Sequence, residues 1–222
     1  TPEMPRYDII EYDPLLDSSS MGPSDWIKIA IDIEENYFKY DGFVVGMGTD
    51  TMAYAASALS FMLENLNKPV VMTGSQLPIF HPRTDGITNL SNAIYIAGYL
   101  SFGINCIPEV CICFNDDVLR GNRSVKTSTN DFEGFSSPNF ENLAYLEQNI
   151  TLNNNLIRHK NNGELILIPH FSENVVNVTV FPGYNPSALI DLIKNKNLNG
   201  FESRLKFYHA TNLDIFKKLQ DL

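Results

Sequence analysis

Basic residues are scarce in this sequence of 222 residues. It contains 16 Lys and Arg against 26 Asp and Glu, which gives a formal net charge of −10. The densest basic stretch, Arg204 to Lys218, is mixed with apolar residues in a helical pattern. Because an acidic chain repels phosphate backbones, we expect no nucleic-acid partner.

Cysteine is also scarce, with three residues at positions 106, 111 and 113. No Cys/His spacing fits a zinc site, and an odd number does not fit a disulfide framework. Two of the cysteines lie inside the apolar run 110–114, which is typical of a strand. We therefore predict buried, reduced thiols, no zinc site, and a reducing compartment, the cytoplasm.

Long apolar runs are missing as well. The longest, Ala93 to Ile104, is too short to cross a bilayer and contains Gly and Ser. No signal-peptide pattern opens the sequence. We therefore expect no membrane partner.

What the sequence does contain is an alternation of short apolar runs and helical patterns. Strands are predicted over 42–46, 70–73 and 109–114, and helices over 23–38 (with Ser24 as N-cap), 51–66, 86–100 and 186–196. Residues 115–142 indicate an ordered loop or hairpin, and 164–169 is predicted to pair with 175–181. This alternation is typical of an α/β fold with a mostly parallel sheet flanked by helices.

Polar residues are concentrated in the loops that follow predicted strands. Ligands of such folds bind at the carboxyl ends of the strands. The loop Gly48-Thr49-Asp50-Thr51 presents a hydroxyl and a carboxylate beside a helix N-terminus. On its own it has a second explanation, in which Asp50 or Thr51 caps the helix and Thr49 is a turn residue.

Two further segments each have both an ordinary structural explanation and a functional one. Lys126 lies in a polar loop, where a lysine is usually solvated, but a lysine that meets a threonine in a partly buried site can activate its hydroxyl. The run Asp17-Ser18-Ser19-Ser20 is either an ordinary turn or a clamp for a small zwitterion. Neither segment decides the matter alone.

A series of motifs, in a fixed order, goes further than these patterns. Residues 41–54, DGFVVGMGTDTMAY, resemble the second threonine motif of L-asparaginases, and the resemblance extends along residues 7–199. It is similar above all to the cytoplasmic, type I branch, because Asp17-Ser18-Ser19 replaces a shorter clamp. The other matching segments are 58–66, 68–78, 83–86, 89–90, 120–126, 137–139 and 181–183.

This resemblance implies an amidohydrolase that converts L-asparagine and water to L-aspartate and ammonia without metal or cofactor. Thr49 would position or activate the attacking water or act in the second half-reaction, and Lys126 would tune its hydroxyl. Asp50 would pair with the substrate α-ammonium group. Asp17, Ser18 and Ser19 would bind the α-amino-acid end, with Ser18 on its carboxylate. The resemblance also implies a homodimer or homotetramer, in which a neighbouring subunit completes the site.

The sequence departs from the family at several points. The N-terminal Thr-Gly-Gly-Thr strand with the primary nucleophile, and the lid loop with its tyrosine, do not occur in it. Met47 replaces a histidine, and Ser20 stands where Asp is common. We expect the missing segments to belong to the protein although not to this sequence; a truncated chain is the alternative.

The resemblance also predicts the domain organisation. Residues 1–183 are expected to form the large N-terminal α/β domain, without its first strand and lid. Residues 184–203 are expected to form an interdomain linker and helix. Residues 204–222 are expected to be a terminal helix, a remnant of a smaller C-terminal α/β domain that is otherwise absent from this sequence.

Two other functions stay open at this point. One is a related amidohydrolase, either a glutaminase or the asparaginase-like subunit of a tRNA amidotransferase. The other is a catalytically inactive, amino-acid-binding or regulatory protein.

Overall fold

A computed structural model describes residues 4–99, 106–172, 175–181, 185, 187, 190–191 and 200–205. The chain divides into two compact units, Thr1–His170 and Phe171–Leu222. The predicted boundary after residue 183 therefore lies inside the second unit.

Within the described residues, bounds can be given for three α-helices and twelve strands, and Ser187, Ile190 and Asp191 are also helical. The helices are α1 Pro23–Asn36, α2 Met52–Met62 and α3 Gly86–Tyr99. The strands are β1 Phe43–Gly46, β2 Leu63–Glu64, β3 Val70–Thr73, β4 Val110–Phe114, β5 Asp117–Arg120, β6 Val125–Lys126, β7 Phe135–Ser136, β8 Ala144–Leu146, β9 Ile150–Leu152, β10 Ile166–Leu167, β11 Val175–Val180 and β12 Gly200–Leu205.

The main sheet of the first unit has the order β1-β3-β4-β5-β8-β9 among the described strands. Strands β1, β3 and β4 are parallel, with Val44 opposite Val71 and Val71 opposite Cys111. Strands β5, β8 and β9 continue the sheet in antiparallel fashion. The predicted α/β fold with a mostly parallel central sheet is confirmed at β1, β3 and β4. Residues 115–142, predicted to be an ordered loop or a hairpin, contain the antiparallel strand β5 and the hairpin of β6 and β7.

The central strands are buried on both faces and separate two apolar clusters. Val70 and Met72 of β3 belong to the cluster that includes α1 and α2, whereas Val71 belongs to the cluster that includes α3. In β4, Ile112 faces the first cluster, and Cys111 and Cys113 face the second. This alternation follows from the two-residue period of a strand and produces a helix–sheet–helix arrangement.

The helix ends differ from the predicted ones for local reasons. α1 begins at Pro23 with Gly22 as its N-cap, and the Asp25 carboxylate accepts the Gly22 N–H at 2.9 Å, so Ser24 is not the cap. α2 ends at Met62 rather than near residue 66, because β2 pairs with β10. Within the described ranges no helix combines the length and the apolar character that a membrane span requires.

The strand pairing predicted for 164–169 and 175–181 is wrong. β10 pairs with β2 in the first unit, and β11 pairs in parallel with β12 in the second. Gly200–Leu205 is therefore a strand rather than linker and helix, because β11 supplies backbone partners that its local pattern does not reveal. Residues 206–222 of the predicted terminal helix lie outside the described residues, as do most residues of the helix predicted over 186–196.

Candidate active site

The turn of residues 47–51 follows β1 at the carboxyl edge of the parallel strands and leads into α2. Thr49 in this turn is buried, with 9% of its surface exposed, whereas Asp50 is exposed. A short loop between a buried strand and a helix thus presents a shielded hydroxyl next to an accessible carboxylate. This is the edge of an α/β sheet at which ligands bind.

Lys126 reaches this turn from a distant part of the chain. Its Nζ atom donates to Oγ1 of Thr49 at 2.8 Å and to Oδ1 of Asp50 at 2.8 Å. The Lys126 side chain is 17% exposed, and that of Asp50 is 57% exposed. Because the lysine is largely removed from water, its charge acts on the Thr49 oxygen more strongly than it would at the surface. The structure therefore brings together the three residues predicted to be catalytic.

The loop that leads to Lys126 packs closely on the fold. A single 3-10 turn, Gly121–Arg123, lies against α2, and a Cβ on Gly121 would be 2.9 Å from the Val110 carbonyl oxygen and 3.1 Å from that of Ala56. Just before this turn, Arg120 Nε lies 2.5 Å from Glu109 Oε2 in a largely buried ion pair. These contacts fix the direction in which the chain continues to Lys126.

The alternative in which Asp50 or Thr51 only caps a helix is not what the structure shows. Thr51 is the N-cap residue of α2 but makes no side-chain cap hydrogen bond. Its hydroxyl donates instead to the Ser18 carbonyl oxygen at 2.7 Å. The carboxylate of Asp50 pairs with Lys126. Both side chains therefore connect the turn to other segments of the site.

The predicted clamp residues lie in the turn that packs on this segment. Ser18 is 5% exposed, and its Oγ accepts the Asp50 N–H at 3.4 Å. Asp17 and Ser19 are exposed. The Ser19 N–H donates to Asp17 Oδ1 at 3.0 Å, and this hydrogen bond lowers the pKa of the Asp17 carboxyl. Asp17 is thus an exposed, ionised carboxylate, and Ser18 is a buried hydroxyl beside Asp50.

Gly48 has a steric role in this turn. Its backbone is not in the left-handed region, but a Cβ on it would lie 2.3 Å from Ser18 Oγ. A Cβ on Gly46 would meet nothing within 4 Å. Of these two glycines, only Gly48 is therefore required for the close packing of the turns of residues 17–20 and 47–51.

A group of residues near the site received no role from the sequence. Gln76 contacts the hairpin that carries Lys126, and Asp85 and Asn89 support Gln76. All three fall in motifs that resemble the family, but their partners are mostly backbone atoms. Residue type gives no signal for such partners, so the sequence could not indicate these contacts.

In chemical terms the site combines a shielded hydroxyl, an ammonium group and a carboxylate. The ammonium group donates to the hydroxyl oxygen and thereby favours its alkoxide form, which is how a weak alcohol nucleophile is activated. The N-terminus of α2, which begins directly after this turn, adds partial positive charge. Such a set suits acyl transfer, in which negative charge develops on oxygen.

Comparisons with known proteins agree with this chemistry. Residues 3–158 match the family model described as "Asparaginase, N-terminal". L-asparaginase 1 of Escherichia coli K12 is 47% identical over 193 residues, which cover 87% of this chain and 56% of that protein. The 60 kDa lysophospholipase of Mus musculus is 44% identical over 196 residues, which cover 87% of this chain and 34% of that protein.

A solved structure supports the same assignment. L-asparaginase I from Vibrio cholerae has a TM-score of 0.87 and 41% sequence identity, and the match covers 100% of this chain and 67% of that one. The chain spans about half the length of the E. coli relative, 56% of it. The family model, the E. coli relative and the Vibrio structure agree, and the chain belongs to the L-asparaginase family, in its type I branch.

Proposed function

We propose that this protein hydrolyses the side-chain amide of L-asparagine to L-aspartate and ammonia. The observation that supports this most directly is the position of Lys126, whose Nζ lies 2.8 Å from both Thr49 Oγ1 and Asp50 Oδ1. A hydroxyl beside a largely buried ammonium group, next to an exposed carboxylate, suits attack on an amide and binding of an amino-acid substrate.

In the proposed reaction, each predicted site residue has a separate role. Thr49 positions or activates the attacking water, or acts in the second half-reaction, and Lys126 favours the ionised form of its hydroxyl. In direct attack, water adds to the amide carbon, a proton passes to the nitrogen, the C–N bond breaks and ammonia leaves. In the acyl-enzyme route, a threonine hydroxyl adds first and ammonia leaves in the same way, and water then breaks the resulting ester C–O bond to release aspartate and restore the hydroxyl. Backbone N–H groups stabilise the negative charge that develops on the carbonyl oxygen.

The carboxylate and the serine turn would recognise the rest of the substrate. Asp50 is 57% exposed and can be reached by an α-ammonium group, for which a carboxylate is the matching partner. Asp17, Ser18 and Ser19 would bind the α-amino-acid end from the adjoining turn. Ser18 is the proposed ligand of the α-carboxylate, since its buried hydroxyl lies beside the Asp50 backbone.

The test is ammonia release from L-asparagine by protein expressed from the complete coding sequence. Thr49→Val removes the hydroxyl while keeping the shape, and kcat should fall about 10²-fold or more. Thr88→Val, at an exposed threonine of α3, is the matched control and should retain activity. If Thr49→Val releases ammonia at the wild-type rate, Thr49 has no catalytic role.

The same assay separates the competing functions. A higher kcat/KM on L-glutamine than on L-asparagine would identify a glutaminase. Calorimetric binding of L-aspartate without any ammonia release would identify an inactive, amino-acid-binding protein. We expect the ratio of kcat/KM to favour asparagine.

We further propose self-association as a homodimer or homotetramer, with a neighbouring subunit that completes the site, and a cytoplasmic location. Exposed apolar side chains on α2, Tyr54 at 68% and Phe61 at 70%, support the first point. The three buried, free cysteines support a reducing compartment. Light scattering of the purified protein tests the assembly, and a monomer at micromolar concentration contradicts it.

A further inference from the structure

The hairpin that presents Lys126 has little support of its own. Its two strands, β6 and β7, are paired at only two positions, Val125 with Ser136 and Lys126 with Phe135. Beyond them, the N–H groups of Thr127 and Ser128 donate to the Gly134 carbonyl at 2.9 and 3.3 Å. So short a ladder is marginally stable in water, yet Lys126 must be fixed to meet Thr49.

The side-chain amide of Gln76 supplies support from outside the hairpin. Its Nε2 donates to the Ser128 carbonyl at 3.1 Å and to the Asp131 carbonyl at 2.7 Å. An amide NH₂ group has two donors, so this one joins two points of the hairpin loop. The loop approaches closely, because a Cβ on Gly134 would lie 2.8 Å from the same nitrogen.

Gln76 is in turn fixed to the rigid part of the fold. The Asp85 carboxylate accepts the N–H groups of Gln76, at 2.9 and 3.1 Å, and of Leu77, at 3.1 Å. It also accepts Nδ2 of Asn89 at 3.1 Å. Asn89 is 1% exposed, and Asn115, directly after β4, donates its N–H to the Asn89 side chain at 3.0 Å. The anchor of Gln76 thus extends to the end of a buried strand.

We propose that Gln76 is a positioning residue for amide hydrolysis. It fixes the loop of residues 127–134, between β6 and β7, so that the Lys126 ammonium group stays against Thr49 and Asp50. This inference rests on the proposed function, in which Lys126 tunes the Thr49 hydroxyl. In this role Gln76 contacts the hairpin loop and not the reacting atoms. Its effect is on the geometry of a group that touches those atoms, and a displacement of about 1 Å can cost about 10²-fold in rate.

The first test is Gln76→Glu, which keeps the shape but sets an oxygen against two carbonyl oxygens. We expect kcat for ammonia release to fall about 10- to 100-fold, with KM for asparagine changed less than about 2-fold. The matched control is Gln148→Glu at an exposed position, which should leave both constants unchanged. Hydrogen exchange at the amides of residues 127–131 should become faster only in the Gln76 variant.

A double-variant cycle separates positioning from general destabilisation. Combined with Lys126→Met, Gln76→Glu should produce no further loss of kcat, because the group it positions is already missing. A merely structural role would give additive losses, which would overturn the proposal.

A second variant tests the same contact from the hairpin side. Gly134→Ala places a methyl carbon 2.8 Å from Gln76 Nε2, which is too close for both to stay in place, so kcat should fall in a similar way. The same substitution in a Gln76→Ala background should have no further effect, because the space is then free. If Gln76→Glu fails to fold, the comparison of Gly134→Ala alone with Gly134→Ala in the Gln76→Ala background still tests the positioning role of Gln76.

Ammonia release by the wild-type protein tests the proposed function, whereas kcat and hydrogen exchange of the variants test the positioning role of Gln76. If wild-type protein releases no ammonia from asparagine, the proposed function fails, and faster exchange in Gln76→Glu still supports the role of Gln76 in fixing the hairpin. If wild-type protein is active and both Gln76→Glu and Gly134→Ala retain wild-type kcat and exchange, the positioning role is wrong.

Discussion

Gly48 and Ser18 approach so closely that no side chain fits between them. A Cβ on Gly48 would lie 2.3 Å from Ser18 Oγ and 2.9 Å from its Cβ. The same serine accepts the Asp50 N–H through its hydroxyl, at 3.4 Å, and the Thr51 hydroxyl through its carbonyl, at 2.7 Å. The turns of residues 17–20 and 47–51 therefore form one unit, whose packing depends on a glycine.

Replacing Gly48 with Ala should displace Ser18 and impair substrate binding. We expect KM for asparagine to rise about 10-fold, with a smaller change in kcat, because the proposed carboxylate ligand moves. The control is Gly46→Ala, since a Cβ there meets nothing within 4 Å. Steady-state ammonia release measures both variants, and equal effects in the two would contradict the role given to the Gly48–Ser18 contact.

The buried ion pair between Glu109 and Arg120 should be important for stability. Their side chains are 6% and 12% exposed, and Arg120 Nη2 also donates to the Leu156 carbonyl at 2.6 Å. Arg120→Met leaves the Glu109 charge buried without its partner, which should cost about 3–5 kcal/mol. The double variant Glu109→Gln/Arg120→Met should lose less, because no charge is stranded.

Urea denaturation monitored by circular dichroism checks this comparison. The control is Glu147→Gln at an exposed position, for which we expect a change below about 0.5 kcal/mol. A loss for Arg120→Met no larger than that of the control would show that the pair is not a stabilising element.

Asp117 should make stability fall as the pH rises. Burial raises the pKa of its carboxyl above the ordinary value, and the Asn142 side chain opposes this through a hydrogen bond. The folded state therefore binds the proton more tightly than the unfolded state, so ionisation of Asp117 costs stability. This cost is absent below the unfolded pKa of about 3.9, grows as the pH passes through the folded pKa, and is constant above it.

Asp117→Asn removes the ionisation and should raise Tm relative to wild type near pH 7. The gain should shrink as the pH is lowered toward 4.5, and Asp191→Asn, at an exposed carboxylate, should show no such trend. A Tm difference that is constant or larger at acidic pH would contradict the assignment.

The cysteines of β4 should be inert toward thiol reagents in the folded protein. Cys111 and Cys113 are fully buried, and burial raises the pKa of both thiols. Since the thiolate is the reactive form, alkylation with iodoacetamide near pH 8 should be at least about 100-fold slower than in denaturant. Peptide mass spectrometry measures this, and rapid native labelling of either residue would show that β4 is not a buried strand.

The parts of the fold that could be predicted are those whose signal is local. Strands β1, β3 and β4 are short apolar runs, and α1 and α3 show helical periodicity, so their positions follow from the sequence. Strand pairing between distant segments has no such signal. For this reason the local pattern of 164–169 does not show that it pairs with β2, and the local pattern of Gly200–Leu205 does not show that it pairs with β11.

In the candidate site, too, the chemistry could be predicted from the residue types, but the contacts between distant residues could not. The residue types of Thr49, Asp50 and Lys126 indicate chemistry, but 77 positions separate the lysine from the threonine, and only the family resemblance predicted that they meet. Neither its residue type nor the family resemblance predicted a role for Gln76. Its amide binds backbone carbonyls of the hairpin, and a backbone carbonyl is the same for every residue type.

The role of the Lys126 ammonium group in activating Thr49 is tested most directly by kcat for ammonia release from L-asparagine by the Lys126→Met variant of the full-length protein. Methionine keeps most of the side-chain volume but removes the ammonium group that lies 2.8 Å from Thr49 Oγ1. Lys39→Met, at an exposed lysine, is the matched control. We expect kcat to fall about 10²- to 10⁴-fold for Lys126→Met and to stay unchanged for Lys39→Met. Ammonia release by Lys126→Met close to the wild-type rate would contradict this role.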